Sequence, residues 1–183
     1  MKYYSPLRYP GGKGKLTNYI KLILDKNDLN GGTYIEPFAG GAAVAIALLL
    51  DGVVSKIIIN DKNKAIYAFW KSVLENTEEL CGLIRNTPVN IEEWKRQREI
   101  FVNTKKACLE LGFATFFLNR TNRSGILTGG VIGGLNQKGD WKIDARYNKD
   151  DLINRIEAIA EKKKQIKVYN KDIFDFIDKI LPK

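Results

Sequence analysis

Glu36, the pair Gly40-Gly41 and Asp61 are the residues whose types and spacing suggest chemistry. The glycines stand between an apolar strand and an apolar helix in IEPFAGGAAVAIALLL, Ile35 to Leu50, where backbone without a Cβ can approach a ligand closely. Asp61 lies at the end of the next strand, 20 residues after Gly41, where a carboxylate accepts hydrogen bonds from both hydroxyls of a ribose. Singly, these are a tight turn and a surface aspartate; together they favour a ribose-bearing ligand. Gly40-Gly41-Ala42-Ala43 does not meet the dinucleotide pattern G-x-G-x-x-G, and Gly14-Lys15-Leu16 lacks the hydroxyl of a P-loop, so pyrophosphate is disfavoured. Glu36 repels phosphate and attracts a cation. S-adenosyl-L-methionine, which carries a sulfonium and an ammonium on a ribose, suits this set.

Other chemistries are excluded by composition. The chain has no histidine, which removes His-based acid-base catalysis and His-ligated metals. Cys81 and Cys108 lie in no Pro-Cys loop or CxxC pair, so both read as buried apolar residues, and a thiolate nucleophile is not expected. A formal charge of +9 favours a polyanionic partner. The first 21 residues hold five Lys or Arg and no acid, whereas Lys162, Lys163 and Lys164 read as a solvated helix end. The N-terminus has no apolar signal core, and the longest aliphatic run, Ala42 to Leu50, falls short of the ~20 residues that cross a bilayer; a cytoplasmic protein is the expectation.

The elements that must hold these residues follow from periodicity. Leu16, Tyr19, Ile20, Ile23 and Leu24 recur at helical spacing, and Asn30-Gly31-Gly32 ends that helix. A strand over 33–38, a helix over 42–50 and a strand over 54–59 form a βαβ unit. Ile66, Phe69, Trp70, Val73 and Leu74 begin a mostly helical stretch of about 50 residues. From Asn119 to Tyr147 an irregular loop is predicted, holding six of the sixteen glycines between Gly125 and Gly139. Asp150 or Asp151 then caps a helix carrying Leu152, Ile156 and Ile159, followed by a third strand in QIKVYN and a helix in DIFDFIDKIL. The plan is an α/β core over 1–61, a helical and loop insertion over 62–149 and a return to the core over 150–183.

PLRYPGGKGKL, YIEPFAGGAAVAIALL, IINDKN and FFLNRTNRSGIL, in this order, resemble the Dam-type (D12 class) DNA adenine-N6 methyltransferases from Pro6 to about Phe176. The resemblance implies a partial Rossmann-like methyltransferase fold, S-adenosyl-L-methionine as cofactor, and methylation of double-stranded DNA as in restriction-modification. It places Tyr9 and Lys13 against the cofactor, wraps its methionine end with Glu36, Pro37, Phe38, Ala39, Gly40 and Gly41, and gives its ribose to Asp61 and its adenine to Asp172 and Ile173. Ala42 departs from the glycine or serine of many members. The insertion corresponds to the target-recognition region, with Arg8, Asn119, Arg120 and Arg123 as DNA contacts; the alternative is that Asn119 and Arg120 only anchor the preceding helix.

One part of the family pattern is missing. Its members bind the flipped adenine with a (D/N/S)PP(Y/F/W) motif that polarises the amino group, whereas no two of the five prolines here, Pro6, Pro10, Pro37, Pro88 and Pro182, are adjacent. No catalytic residue is therefore assigned. The sequence resembles the front two-thirds of a methyltransferase, which predicts an open sheet edge and either self-association or a partner carrying the motif. A truncated enzyme, a subunit of a split one and a non-catalytic DNA- or cofactor-binding module all fit.

Overall fold

The computed structural model describes residues 4–9 and 11–180, so Pro10, within the opening motif, and Pro182 lie outside the described residues. Among the described residues, three strands form one parallel sheet in the order β1-β2-β3: β1 Thr33–Glu36, β2 Lys56–Asn60 and β3 Ile166–Tyr169. Ile35 pairs with Ile58, and Ile59 with Val168. β1 is shorter than expected because Pro37 has no N–H to continue a ladder, and β2 starts two residues later and ends one residue later than its apolar run suggested.

Among the described residues, eight α-helices accompany the sheet: α1 Thr17–Lys26, α2 Ala43–Leu50, α3 Lys64–Glu75, α4 Thr77–Asn86, α5 Ile91–Asn103, α6 Leu109–Thr121, α7 Lys149–Ala160 and α8 Ile173–Ile180. α2 is apolar on all sides and correspondingly buried, from Val44 to Leu49. α3 and α6 pack closely because Gly112 leaves room: a Cβ there would meet Ser72 Oγ at 2.3 Å and the Ala68 carbonyl oxygen at 2.8 Å. Phe69 stacks on Phe116 with centroids 5.9 Å apart, and Trp70 meets Phe69 edge-on at 5.0 Å.

Asparagine side chains cap three of these helices. Asn63, Asn90 and Asn148 accept hydrogen bonds from Ala65, Glu93 and Asp151 N–H respectively. Asn148 thus displaces the cap expected from Asp150 or Asp151, which sit in the first turn of α7, where their charge opposes the positive end of the helix. The long loop also departs from expectation. α6 continues through Thr121, a turn of 3-10 helix spans Arg123–Gly125, and Asn122 bridges Val131, while Val131, Ile143 and Tyr147 are buried in the core. Cys81 is buried as expected, and burial pushes its thiol up to about 11; Cys108, however, is only half-buried.

One side chain ties the carboxyl ends of the strands together. The Asn60 amide, 2% exposed, donates to the Pro37 and Lys171 carbonyls, each at 3.1 Å, and accepts from Lys171 N–H at 3.0 Å. Asn60→Ala strips partners from these backbone groups and should cost about 2 kcal/mol, read as a lower urea midpoint at unchanged slope. A change within ~0.5 kcal/mol, the range of ordinary surface substitutions, would show that the amide carries no such burden.

Candidate cofactor cradle and recognition surface

Beyond Pro37 the chain turns on two left-handed residues, Gly40 (φ +47) and Ala42 (φ +45), before entering α2. Alanine in that conformation costs ~1–2 kcal/mol relative to glycine. Ala42 occupies the N-cap position without a side chain that can cap, and Glu36 reaches across from β1 instead: its Oε2 accepts from Ala45 N–H at 3.1 Å. Burial raises the Glu36 carboxyl above the ordinary range, opposed by that N–H and by the charge of Lys13. Lys13 itself is exposed on the 3-10 turn Lys13–Leu16.

Asp61 joins the two halves of the turn. Its Oδ2 accepts from Gly40 N–H at 2.8 Å and its Oδ1 from Asn63 N–H at 2.8 Å. The Trp70 indole donates to the Gly40 carbonyl at 2.9 Å, so Gly40 is fixed at both its backbone polar groups. Tyr9 explains why this position is glycine. A Cβ on Gly40 would stand 2.9 to 3.0 Å from three atoms of the Tyr9 ring, so the glycine admits the ring, where the sequence suggested a ligand alone. Phe38 is 66% exposed on the outer side of the turn, while Ala39 and Gly41 are buried.

The end of β3 comes to the same place. Asn170 donates to the carbonyls of Asp61 and Lys62, at 2.8 and 3.0 Å. Asp172 precedes α8 and caps it through Phe174 N–H at 3.2 Å, with Ile173 as the first helical residue. Lys62 Nζ lies 2.8 Å from the Asp172 carboxylate and holds it below the ordinary range; this pair is exposed and contributes little to stability. The expected cofactor residues therefore converge at the carboxyl ends of the strands.

The expected DNA residues divide. Asn119 is fully buried: it accepts from Arg8 N–H at 2.7 Å and donates to the Arg8 and Gly125 carbonyls at 2.6 and 3.0 Å. It has no surface to offer a base, and the contact expected of it is replaced by a clamp on Arg8. Gly125 presses on the same segment, since a Cβ there would lie 2.4 Å from the Arg8 carbonyl oxygen. Arg120 Nε donates to the Arg146 carbonyl at 2.7 Å, and burial, with the charges of Arg8 and Arg155, lowers its guanidinium to about 10. Arg123 is exposed. Asn60 stands in the IINDKN motif without a role assigned to it there, and Trp70, Arg146 and Arg155 had no motif to reveal them.

With this geometry in place, comparison with known proteins is decisive. The family of D12 class N6 adenine-specific DNA methyltransferases matches residues 9–180. The chain belongs to that family. Among curated relatives, this D12-class chain is 28% identical over 188 residues to the Type II methyltransferase M.MjaIII of Methanocaldococcus jannaschii, covering 94% of this chain. It is 33% identical over 105 residues to the modification methylase StsI of Streptococcus sanguinis, covering 56% of this chain. The D12-class chain spans 63% of the length of the first relative, and its match spans 15% of the second. Among the described residues, no helix is long and apolar enough to cross a membrane.

The Glu36 cap makes a pH prediction. A carboxyl whose folded pKa is raised favours the folded state when protonated, so its contribution declines as pH rises from its unfolded value through the folded one. Glu36→Gln keeps an oxygen for Ala45 N–H and should flatten that decline in urea midpoints measured across the acid range. The same slope in both proteins would refute the assignment.

Proposed function

We propose that this chain binds S-adenosyl-L-methionine at the carboxyl ends of its strands and double-stranded DNA across its basic face, as part of a site-specific adenine-N6 methyltransferase. The observation that carries this reading is the Glu36, Gly40, Asp61 arrangement in a chain of the D12 class. Ligands of open parallel α/β sheets bind outside the carboxyl ends of the strands. Asp61 uses one acceptor position on each oxygen for backbone N–H groups, and a carboxylate has about four. Acceptor capacity therefore remains for two ribose hydroxyls. Glu36 supplies negative charge for the cationic methionine end, tempered by Lys13; Tyr9, Pro37, Phe38, Ala39 and Gly41 shape the wall, and Asp172 with Ile173 receives the adenine.

The bound cofactor supplies an electrophilic methyl group. The chain's own part is to hold it and orient the DNA: Arg8, Arg120 and Arg123 contact the duplex, with Asn119 positioning Arg8. The region from α3 to the loop before α7 acts as the recognition insertion in a Rossmann-like domain. Activation of the adenine amino group belongs to a (D/N/S)PP(Y/F/W) motif outside these 183 residues, in the same or another polypeptide. The lack of adjacent prolines also favours a second reading, a binding module without catalysis.

Isothermal titration should detect S-adenosyl-L-methionine or its homocysteine product, with Asp61→Ala weakening it by ~1 to 3 kcal/mol; equal affinities would sink the cradle. The chain should also bind duplex DNA less tightly as salt rises, and Arg123→Ala should weaken binding further; indifference to both salt and substitution would remove the DNA role. Tritiated methyl transfer to adenine-containing duplex should need an added fragment carrying the Pro-Pro motif. Activity from the chain alone would place the chemistry within it, and continued inactivity with the fragment would favour the binding module.

A further inference from the structure

A cavity of about 960 Å³ lies beside Tyr9 between the opening segment, α1 and α2. Its lining includes Arg8 and Arg120, together with Arg146 from the end of the long loop and Arg155 from α7. Lys15 and Lys21 add positive charge. The one carboxylate in that lining, Asp51, is held by Lys21 at 2.6 Å and by the Tyr4 hydroxyl.

Four guanidinium groups around one space repel one another. Arg8 is lowered by burial and by Arg146, and Arg120 by burial, Arg8 and Arg155. The protein orients these groups largely with neutral acceptors, which leave their charge in place. Arg120 donates to the Arg146 and Pro6 carbonyls at 2.7 and 3.4 Å, and Arg155 Nη1 to the Ser5 carbonyl at 3.2 Å. Arg155 also pairs with Asp151 at 2.7 Å, so its charge is partly balanced. Among the described residues, Arg8 Nη1 is buried with no hydrogen-bond partner to offset its desolvation.

We propose that this cavity is a binding site for a phosphate group, gripped by Arg8, Arg120 and Arg146 with Arg155 completing the positive wall. Planar guanidinium forks match the oxygens of a phosphate and satisfy them by charge-assisted hydrogen bonds. The site would remove the repulsion among the arginines and give Arg8 Nη1 its acceptor. The phosphate is either a phosphodiester of the DNA backbone, a source that rests on the proposed function, or a free phosphate group, which does not.

Trp141 provides a reporter. It is 64% exposed, whereas Trp70 and Trp94 are buried, and the Arg146 guanidinium lies 5.3 Å from its ring centroid. Inorganic phosphate, titrated against sodium chloride at matched ionic strength, should change tryptophan emission saturably and raise the melting temperature. Arg146→Gln, on an exposed residue, should weaken this roughly tenfold, the loss of one charge-assisted hydrogen bond. Arg155→Lys, which keeps charge but loses the fork, should weaken it less. Arg98→Gln, beside Trp94 on α5, is the control and should change nothing. Competition between a short duplex and phosphate assigns the site to the DNA backbone. So does duplex binding lost on the same substitutions without a response to free phosphate. Phosphate binding that duplex does not displace assigns it to a free phosphate group. No phosphate response, with duplex affinity unchanged by Arg146→Gln and Arg155→Lys, overturns the site while leaving the proposed function standing.

Discussion

Parallel strands end with backbone groups that face no further ladder partner, and buried groups of that kind must be paired. Here the amide of Asn60 spans the gap, bonding to Pro37 after β1 and Lys171 after β3 from its own place at the end of β2. The backbone adds to it, since Ala39 N–H donates to the Asn60 carbonyl at 2.9 Å. Each stretch of the cradle follows directly on an atom held this way: Phe38 after Pro37, Asp61 after Asn60, Asp172 after Lys171. The backbone at the carboxyl ends of the three strands is therefore tied together through one buried amide.

The same device recurs at the end of α6. Asn119 engages Arg8 N–H and C=O as a neighbouring strand would, attaching the opening segment to the end of α6. Asn122 accepts from the Trp94 indole at 2.7 Å and donates to the Ile126 and Leu127 carbonyls at 2.8 and 3.0 Å, anchoring the loop to α5. Polar networks of this kind specify a structure when every member is satisfied. They fix the backbone from within and leave the neighbouring arginine side chains to the surface and its cavity.

Much of this was legible in the sequence. Periodicity and turn residues located the three parallel strands and their helices, and the spacing of Gly41 and Asp61 located the turn they share. What was not legible follows one rule: a short polar side chain reads alike whether it faces a ligand or the backbone. Asn119 stands beside two arginines in a polar stretch, and only the fold shows it buried. Asp150 and Asp151 have capping chemistry, but the residue with extended backbone one turn earlier is Asn148. Arg146 and Arg155 lie far along the chain from Arg8, and no local pattern announces their meeting.

The reach of Glu36 to Ala45 N–H has a consequence for how this stretch tolerates change. The start of α2 is capped by a strand residue nine positions earlier, so the segment between them is fixed in length as well as in residue type. An inserted or deleted residue would uncap the helix and move Gly40 off Asp61. Drift in this family should therefore proceed by exchange at fixed length between 36 and 45, with gaps confined to loops whose ends no side chain measures.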